Sequence, residues 1–330
     1  MYGAGNIGRG FIGQLFSESG YEVTFIDVNQ DIVNKLNKDG KYPIGILSET
    51  GCSEKIVTNV RGVNGLDIGM VAGAIAQADI MATAVGVNVL PKIAKPIAEG
   101  LKKRWKSGRN DPLNIIICEN LLDADRFLAE CIKRELDEDE IPCFEKLVGL
   151  VEASIGRMVP VMTPEMQEGN ILRICVEEYG ELPVDKDAFK GEIPQIRNML
   201  PSGPFAFYIQ RKLFIHNMGH ALTAYLGKLK GYSYIWEAIG DPVIRVAVSK
   251  AMQNSAKALS IEHGVELKMI QDHVDDLIYR FGNKLLGDTV NRVGNDVNRK
   301  LSPNDRLVGA ASLCAAHGID PANICLGIAA

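Results

Sequence analysis

The chain of 330 residues has no apolar run near the ~18 residues that a membrane-spanning helix needs. Its first residues carry no basic stretch leading into an apolar one. Neither a membrane anchor nor a signal peptide is therefore expected. The seven cysteines (Cys52, Cys118, Cys131, Cys143, Cys175, Cys314, Cys325) are odd in number, scattered, and without a CxxC pair. Reduced thiols and a cytoplasmic location are expected. A basic surface is also lacking. The net charge is −5, and the densest basic stretch, GLKKRWKSGR with Lys102, Lys103, Arg104, Lys106 and Arg109, reads as a solvated helix end. No nucleic-acid partner is expected. Histidine is scarce: among the five, only His216 and His220 stand at i and i+4, and no third ligand is nominated, so no metal site is expected. Internal repeats and low-complexity tracts are missing too.

What is present is ordinary for a globular protein, with 46% hydrophobic and 23% charged residues. The length suits two domains, because single cores stop growing near about 250 to 300 residues. After a glycine-rich turn, GFIGQLFSESG has helical apolar spacing, with Gly20 at its C-terminal end. YEVTFID reads as a buried strand and the segment from Gln30 to about Lys38 as a helix. KIVTNVRGVN reads as an extended strand pair, ADIMATAVG as a short apolar strand, and PKIAKPIAEGLKKRW as an amphipathic helix. LNIIICEN is a continuous apolar run of the kind that fills a sheet covered on both faces. Alternation of strands and helices predicts an α/β fold with a doubly wound sheet. Beyond about Lys190 prolines collect, and from Phe205 apolar residues recur at helical spacing. The expected organisation is a nucleotide-binding domain over 1–190, a connection over 191–204, and a mostly α-helical domain over 205–330.

Gly3, Gly5 and Gly8 match G-x-G-x-x-G. The first permits a tight turn, the second lets a pyrophosphate approach the backbone, and the third lets helix pack on strand. Asp27 lies 19 residues past Gly8 (27 − 8), at the end of the next strand. A carboxylate there accepts hydrogen bonds from an adenosine ribose and repels a 2′-phosphate, which favours NAD over NADP. The competing reading is a structural turn with Asp27 as a solvated strand end. Only Met1 and Tyr2 precede the turn, so the first strand of the sheet is expected to be truncated, with some loss of stability.

RKLFIHNMGHALTAYLG, residues 211–227, places Lys212, Asn217 and His220 at K-x4-N-x2-H. On a regular helix Asn217 and His220 fall roughly 60° apart, while Lys212 points to a different side. The lysine must reach round, or the helix must be irregular. The three suit alcohol oxidation without a metal: a desolvated lysine takes the hydroxyl proton, an amide holds the developing alkoxide, and a histidine orients either. The structural alternative is an amphipathic helix with a snorkelling lysine and a buried histidine.

GAGNIGRGFIG, DVNQ, TAVGVNVL, CENL, RKLFIHNMGHALTAYLG and RKLSPNDRL together resemble the polyol-specific long-chain dehydrogenase/reductase family, nearly end to end. The resemblance implies a Rossmann domain followed by a mostly helical domain. It also implies NAD dependence and metal-free hydride exchange between mannitol 1-phosphate and fructose 6-phosphate. The family's lysine base falls on Lys212, and its asparagine and histidine on Asn217 and His220. Its cofactor-lining positions fall on Asn6, Ile7, Asp27, Val85, Gly86 and Asn120. With a phosphorylated substrate, Arg299 and Lys300 are the candidates to bind the phosphate as paired cations. The sequence departs from the family at Gly156-Arg157, where Asp-Arg is usual, at Glu152, and around Asn295, Asp296 and Val297. It also ends at CLGIAA, where relatives usually continue. These departures leave open a tagaturonate- or fructuronate-type sugar-acid reductase, a dehydrogenase of unphosphorylated mannitol, and an NAD-binding sensor without turnover. No oligomeric state is implied.

Overall fold

The computed structural model describes residues 1–330. It forms two units, one of Met1–Leu47 and Cys52–Gly203, the other of Ser48–Gly51 and Pro204–Ala330. No helix is long and apolar enough to cross a membrane.

The first unit holds ten strands: β1 Val23–Asp27, β2 Lys41–Ser48, β3 Gly51–Thr58, β4 Val60–Asn64, β5 Ile80–Thr83, β6 Leu113–Ile117, β7 Val148–Glu152, β8 Ile174–Glu177, β9 Leu182–Asp185 and β10 Met199–Ser202. β1 pairs in parallel with β4, and β6 in parallel with both β5 and β7. What joins these two groups is the short segment 1–3, whose Met1 carbonyl accepts from Ile26 and whose Gly3 N–H donates to the Ile26 carbonyl. Tyr2 makes parallel bridges to Ile26 and Thr83. Its N–H donates to the Ala82 carbonyl at 2.8 Å and its carbonyl accepts from Ala84 at 2.9 Å. The strand order is therefore β4-β1-Tyr2-β5-β6-β7.

Both faces of this sheet are covered, which explains the unbroken apolar run of β6. Ile115 and Ile117 enter a core with Ile26, Val71, Ile93 and Leu128, while Ile116 enters the opposite core with Phe11, Phe25 and Val151. Successive strand residues face opposite sides, so each face needs its own apolar set.

Three features differ from the sequence-based expectations. The basic stretch is not wholly solvated: Arg104 is buried and donates to the carbonyls of Ala76 and Ala78 and to Asp111. A guanidinium can satisfy several carbonyls at once, and it ties the helix Leu90–Lys106 to the loop before β5. Second, β2, β3 and β8 form a separate sheet, in which β2 pairs in parallel with β8 across 130 residues of sequence (174 − 44). Local periodicity carries no signal for such a pairing. Third, the stretch 191–204 is more than a connection, since β10 pairs in parallel with β9 and belongs to the first unit.

The second unit is helical, as expected. Its long helix, Pro242–His263, starts on Asp241, whose carboxylate accepts from the N–H groups of Val243 and Ile244, and stops at Gly264 in the left-handed region. Its buried face includes Val248, Met252, Ser255 and Leu259. The helix Met218–Leu229 approaches it closely at Gly219, where a Cβ would stand 2.5 Å from the Met252 sulfur.

Candidate active site

The glycine turn sits at the C-terminal ends of β1 and β5, where the strand order reverses. This is where ligands bind in open parallel sheets. Gly3 has φ +96°, and a Cβ there would stand 2.4 Å from the Ala84 carbonyl oxygen. At Gly8 a Cβ would stand 2.0 Å from the Gly3 oxygen. A Cβ at Gly5 would meet nothing within 4 Å, and Gly5 is exposed, as is Asn6, with Ile7 half-buried behind them. The outer two glycines are thus required for packing, and the middle one leaves open backbone.

Asp27 is linked to this turn. Its Oδ2 accepts from the Ala4 N–H at 2.7 Å and its Oδ1 from the Asn29 N–H at 2.9 Å. A cleft of about 570 Å³ runs from Asp27 and Val28 past Gly3 and Gly5 to Val85, with Leu66 and Lys92 also on its walls. Asn120 is exposed at the end of β6. The preceding residue, Glu119, is buried and accepts from the Thr83 hydroxyl at 2.6 Å and the Val85 N–H at 2.9 Å, so it fixes the loop in which Gly86 has φ +88°. An open backbone at Gly5, an acid at the far end, and a cleft of this size fit a dinucleotide.

The second constellation resolves the helix question. Residues Phe205–Arg211 are α-helical, Lys212–Asn217 are π-helical, and Met218–Leu229 are α-helical again. The Met218 N–H reaches the Leu213 carbonyl, five residues back. A π turn closes over i→i+5, and so brings Lys212 and Asn217, five apart, onto one face, where a regular helix turns them apart. Widening a helix strands a carbonyl. Here the buried Ser255 hydroxyl donates to the Phe214 carbonyl at 2.8 Å. The same device appears at the glycine turn, where Gly8–Ile12 is π-helical and the Tyr42 hydroxyl donates to the Arg9 carbonyl at 2.7 Å. Neither Ser255 nor Tyr42 carries a sequence signal for this task.

His220 lies on the following α-helix. Its ring stacks on Phe281 with centroids 5.0 Å apart and planes 13° apart, and its Nε2 is 2.9 Å from Oδ2 of Asp288. The sequence gives no hint of Asp288, which is 68 residues away (288 − 220). His216 is buried, and burial followed by the Arg280 charge holds it well below the usual histidine range. Its ring lies 6.2 Å from that of His220, and no group of three or more His, Cys, Asp or Glu side chains is placed to hold a metal.

The two candidate phosphate ligands part company. Arg299 is exposed and pairs with Asp296 and Asp305. Lys300 is buried, and its ammonium donates to the carbonyls of Val293 and Asn295. Burial, with Arg306 and Arg299 nearby, lowers its pKa below the usual lysine value. Lys300 acts as a backbone clamp, which corrects the expectation of a free cationic pair. Arg157, next to the family departure at Gly156, is also buried, donating to the Glu177 and Gly10 carbonyls and to Gln14.

Residues 1–198 match the profile of the mannitol dehydrogenase Rossmann domain, and residues 205–330 that of the mannitol dehydrogenase C-terminal domain. The chain belongs to the mannitol dehydrogenase family. A mannitol-1-phosphate 5-dehydrogenase of Shouchella clausii is 42% identical over 324 residues, covering 98% of this chain and 84% of that protein. One from Brevibacillus brevis is 40% identical over 329 residues, covering 100% and 84%. Among solved structures, D-sorbitol dehydrogenase in substrate-free form aligns with a TM-score of 0.83 at 16% identity, covering 99% of this chain and 78% of that one. Pseudomonas fluorescens mannitol 2-dehydrogenase in ternary complex with NAD and D-mannitol aligns with a TM-score of 0.78 at 14% identity, covering 99% and 77%. This member of the mannitol dehydrogenase family is thus an oxidoreductase with a Rossmann domain followed by a helical domain.

Proposed function

We propose that the chain is an NAD-dependent dehydrogenase that interconverts mannitol 1-phosphate and fructose 6-phosphate, with Lys212 as general base. The observation that carries the reading is the π turn at Lys212–Asn217, which aligns a basic and an amide side chain on the segment adjoining His220. The two relatives named mannitol-1-phosphate 5-dehydrogenase support the substrate, and Asp27 supports NAD. The proposed cofactor-binding residues are Gly3, Gly5, Asn6, Ile7, Gly8, Asp27, Val85, Gly86 and Asn120. When bound, NAD supplies the hydride acceptor.

In this reading Lys212 takes the proton of the hydroxyl being oxidised, since a desolvated amine that has lost its proton is a competent general base. Asn217 donates an amide N–H to the oxygen as charge develops on it, which helps most if the donor is fixed beforehand. His220 orients the reacting group. The proton goes to lysine and the hydride to the cofactor, so the reaction needs no metal in this scheme. Arg299 remains the candidate for the phosphate.

A panel of polyols, polyol phosphates and aldonates with NAD, read by NADH absorbance, tests the proposal. Mannitol 1-phosphate is expected to exceed mannitol in kcat/KM by roughly 10²-fold or more, because a site built for a charged group rejects the analogue lacking it. Preferential turnover of tagaturonate or fructuronate would replace the substrate assignment. NAD binding with no turnover of any member would support a sensor instead.

A further inference from the structure

His220 is held on three sides within the second unit. Phe281 covers one ring face. The helix Met218–Leu229 carries its backbone. Asp288 approaches Nε2 at 2.9 Å, with the two side chains 16% and 10% exposed. The N–H direction does not run along this line, so the contact is a close approach of ring nitrogen to carboxylate without an aligned hydrogen bond. Such contacts in free enzymes are often poorly aligned and tighten in the substrate complex.

Asp288 is itself tied down. Its Oδ1 accepts from Arg292 Nε at 2.8 Å, and its backbone carbonyl accepts from Ile235 at 2.9 Å. The next residue, Thr289, bridges to Tyr234 and caps the helix Val290–Gly294. Burial by itself raises the Asp288 carboxyl, but the His220 and Arg292 contacts outweigh it and hold the group below the usual aspartate range. A nearly buried carboxylate with one oxygen on a fixed arginine and the other on an imidazole is the arrangement that fixes a histidine's tautomer and orientation.

We propose that Asp288 is the positioning residue for His220: its carboxylate keeps the ring proton on Nε2, leaves Nδ1 as an acceptor, and locks the ring against Phe281, with Arg292 steadying the carboxylate. The inference rests on the reading of His220 as part of the catalytic segment.

The test combines kinetics with the nitrogen NMR spectrum of histidine-labelled protein, in which the His220 signals are assigned by their loss in His220→Ala. In the unmodified enzyme His220 is expected as the Nε2–H tautomer. Asp288→Asn should turn it into a tautomer mixture and lower kcat by roughly 3- to 100-fold, the range over which directly interacting side chains couple, with the KM for NAD and the melting temperature nearly unchanged. Asp288→Glu should recover the tautomer in part, and serves where the asparagine variant folds poorly. Arg292→Gln should leave the Nε2–H tautomer dominant. In a His220→Ala background, Asp288→Asn should cost no further turnover. Losses that multiply in the double variant, or an Asp288→Asn enzyme with unchanged tautomer and kcat, would overturn the assignment while leaving the catalytic reading intact. Unimpaired turnover in His220→Ala would overturn both.

Discussion

Lys212 and Asn217 are five residues apart and share one face because the segment between them is a π turn. If this register places a base and an oxyanion donor together, Lys212→Ala should lower turnover by roughly 10²- to 10⁴-fold, the usual worth of general-base catalysis, with NAD affinity close to unmodified. Retention of most turnover would move the base elsewhere, with His220 the next candidate.

The π turn depends on a buried bond from Ser255 to the Phe214 carbonyl. Ser255→Ala leaves that carbonyl short of a partner and is expected to cost about 1–3 kcal/mol of stability. Turnover should fall further than NAD affinity, since the change loosens the Lys212–Asn217 register. Chemical denaturation and steady-state kinetics check both expectations, and an alanine variant equal to the parent in each would remove Ser255 from the account.

Asp27 joins the glycine turn to the acid end of the cleft. Asp27→Ala is expected to weaken NADH by roughly 10- to 100-fold, equivalent to one charged hydrogen bond, and to narrow the preference over NADPH. Fluorescence titration with both cofactors measures this directly. Unaltered affinities for both would leave the carboxylate with only its local bonds to Ala4 and Asn29.

Arg299 and Lys300, adjacent in sequence, should give different phenotypes. Arg299→Ala should raise the KM for mannitol 1-phosphate far more than that for mannitol, because the exposed guanidinium is free to meet a phosphate in place of its aspartates. Lys300→Ala should instead lower the melting temperature, since two buried carbonyls lose their donor. Equal KM changes on both substrates in Arg299→Ala would mark that residue as structural too.

Glu152, at the end of β7, accepts from the Ala124 N–H at 2.9 Å, and burial, followed by Asp125, pushes its carboxyl up to about 7. Between its ordinary value of 4.5 and about 7 the folded protein binds the extra proton, so this group's contribution to stability is full below 4.5 and declines as pH rises through the window. Glu152→Gln removes the dependence. Its melting temperature relative to the parent should therefore be higher at about pH 8 than at about pH 5. A constant difference across that range would refute the shift.

The sequence by itself determined the features that arise from local sterics and short-range pattern. A tight turn at Gly3 and an open backbone at Gly5 follow from the missing Cβ, Asp27 from the length of one helix and strand, and the two-sided burial of β6 from its unbroken apolar run. The placement of lysine, asparagine and histidine on one segment was also legible. Only the tertiary structure decided how that segment is wound. A π turn is stable here because Ser255, 41 residues after Phe214 (255 − 214), reaches the carbonyl that the widened helix releases. Asp288 beside His220, Lys300 turned onto backbone carbonyls and Arg104 buried belong to the same class. Each depends on which distant polar group must be satisfied once it is out of water, and that requirement exists only after the chain has folded.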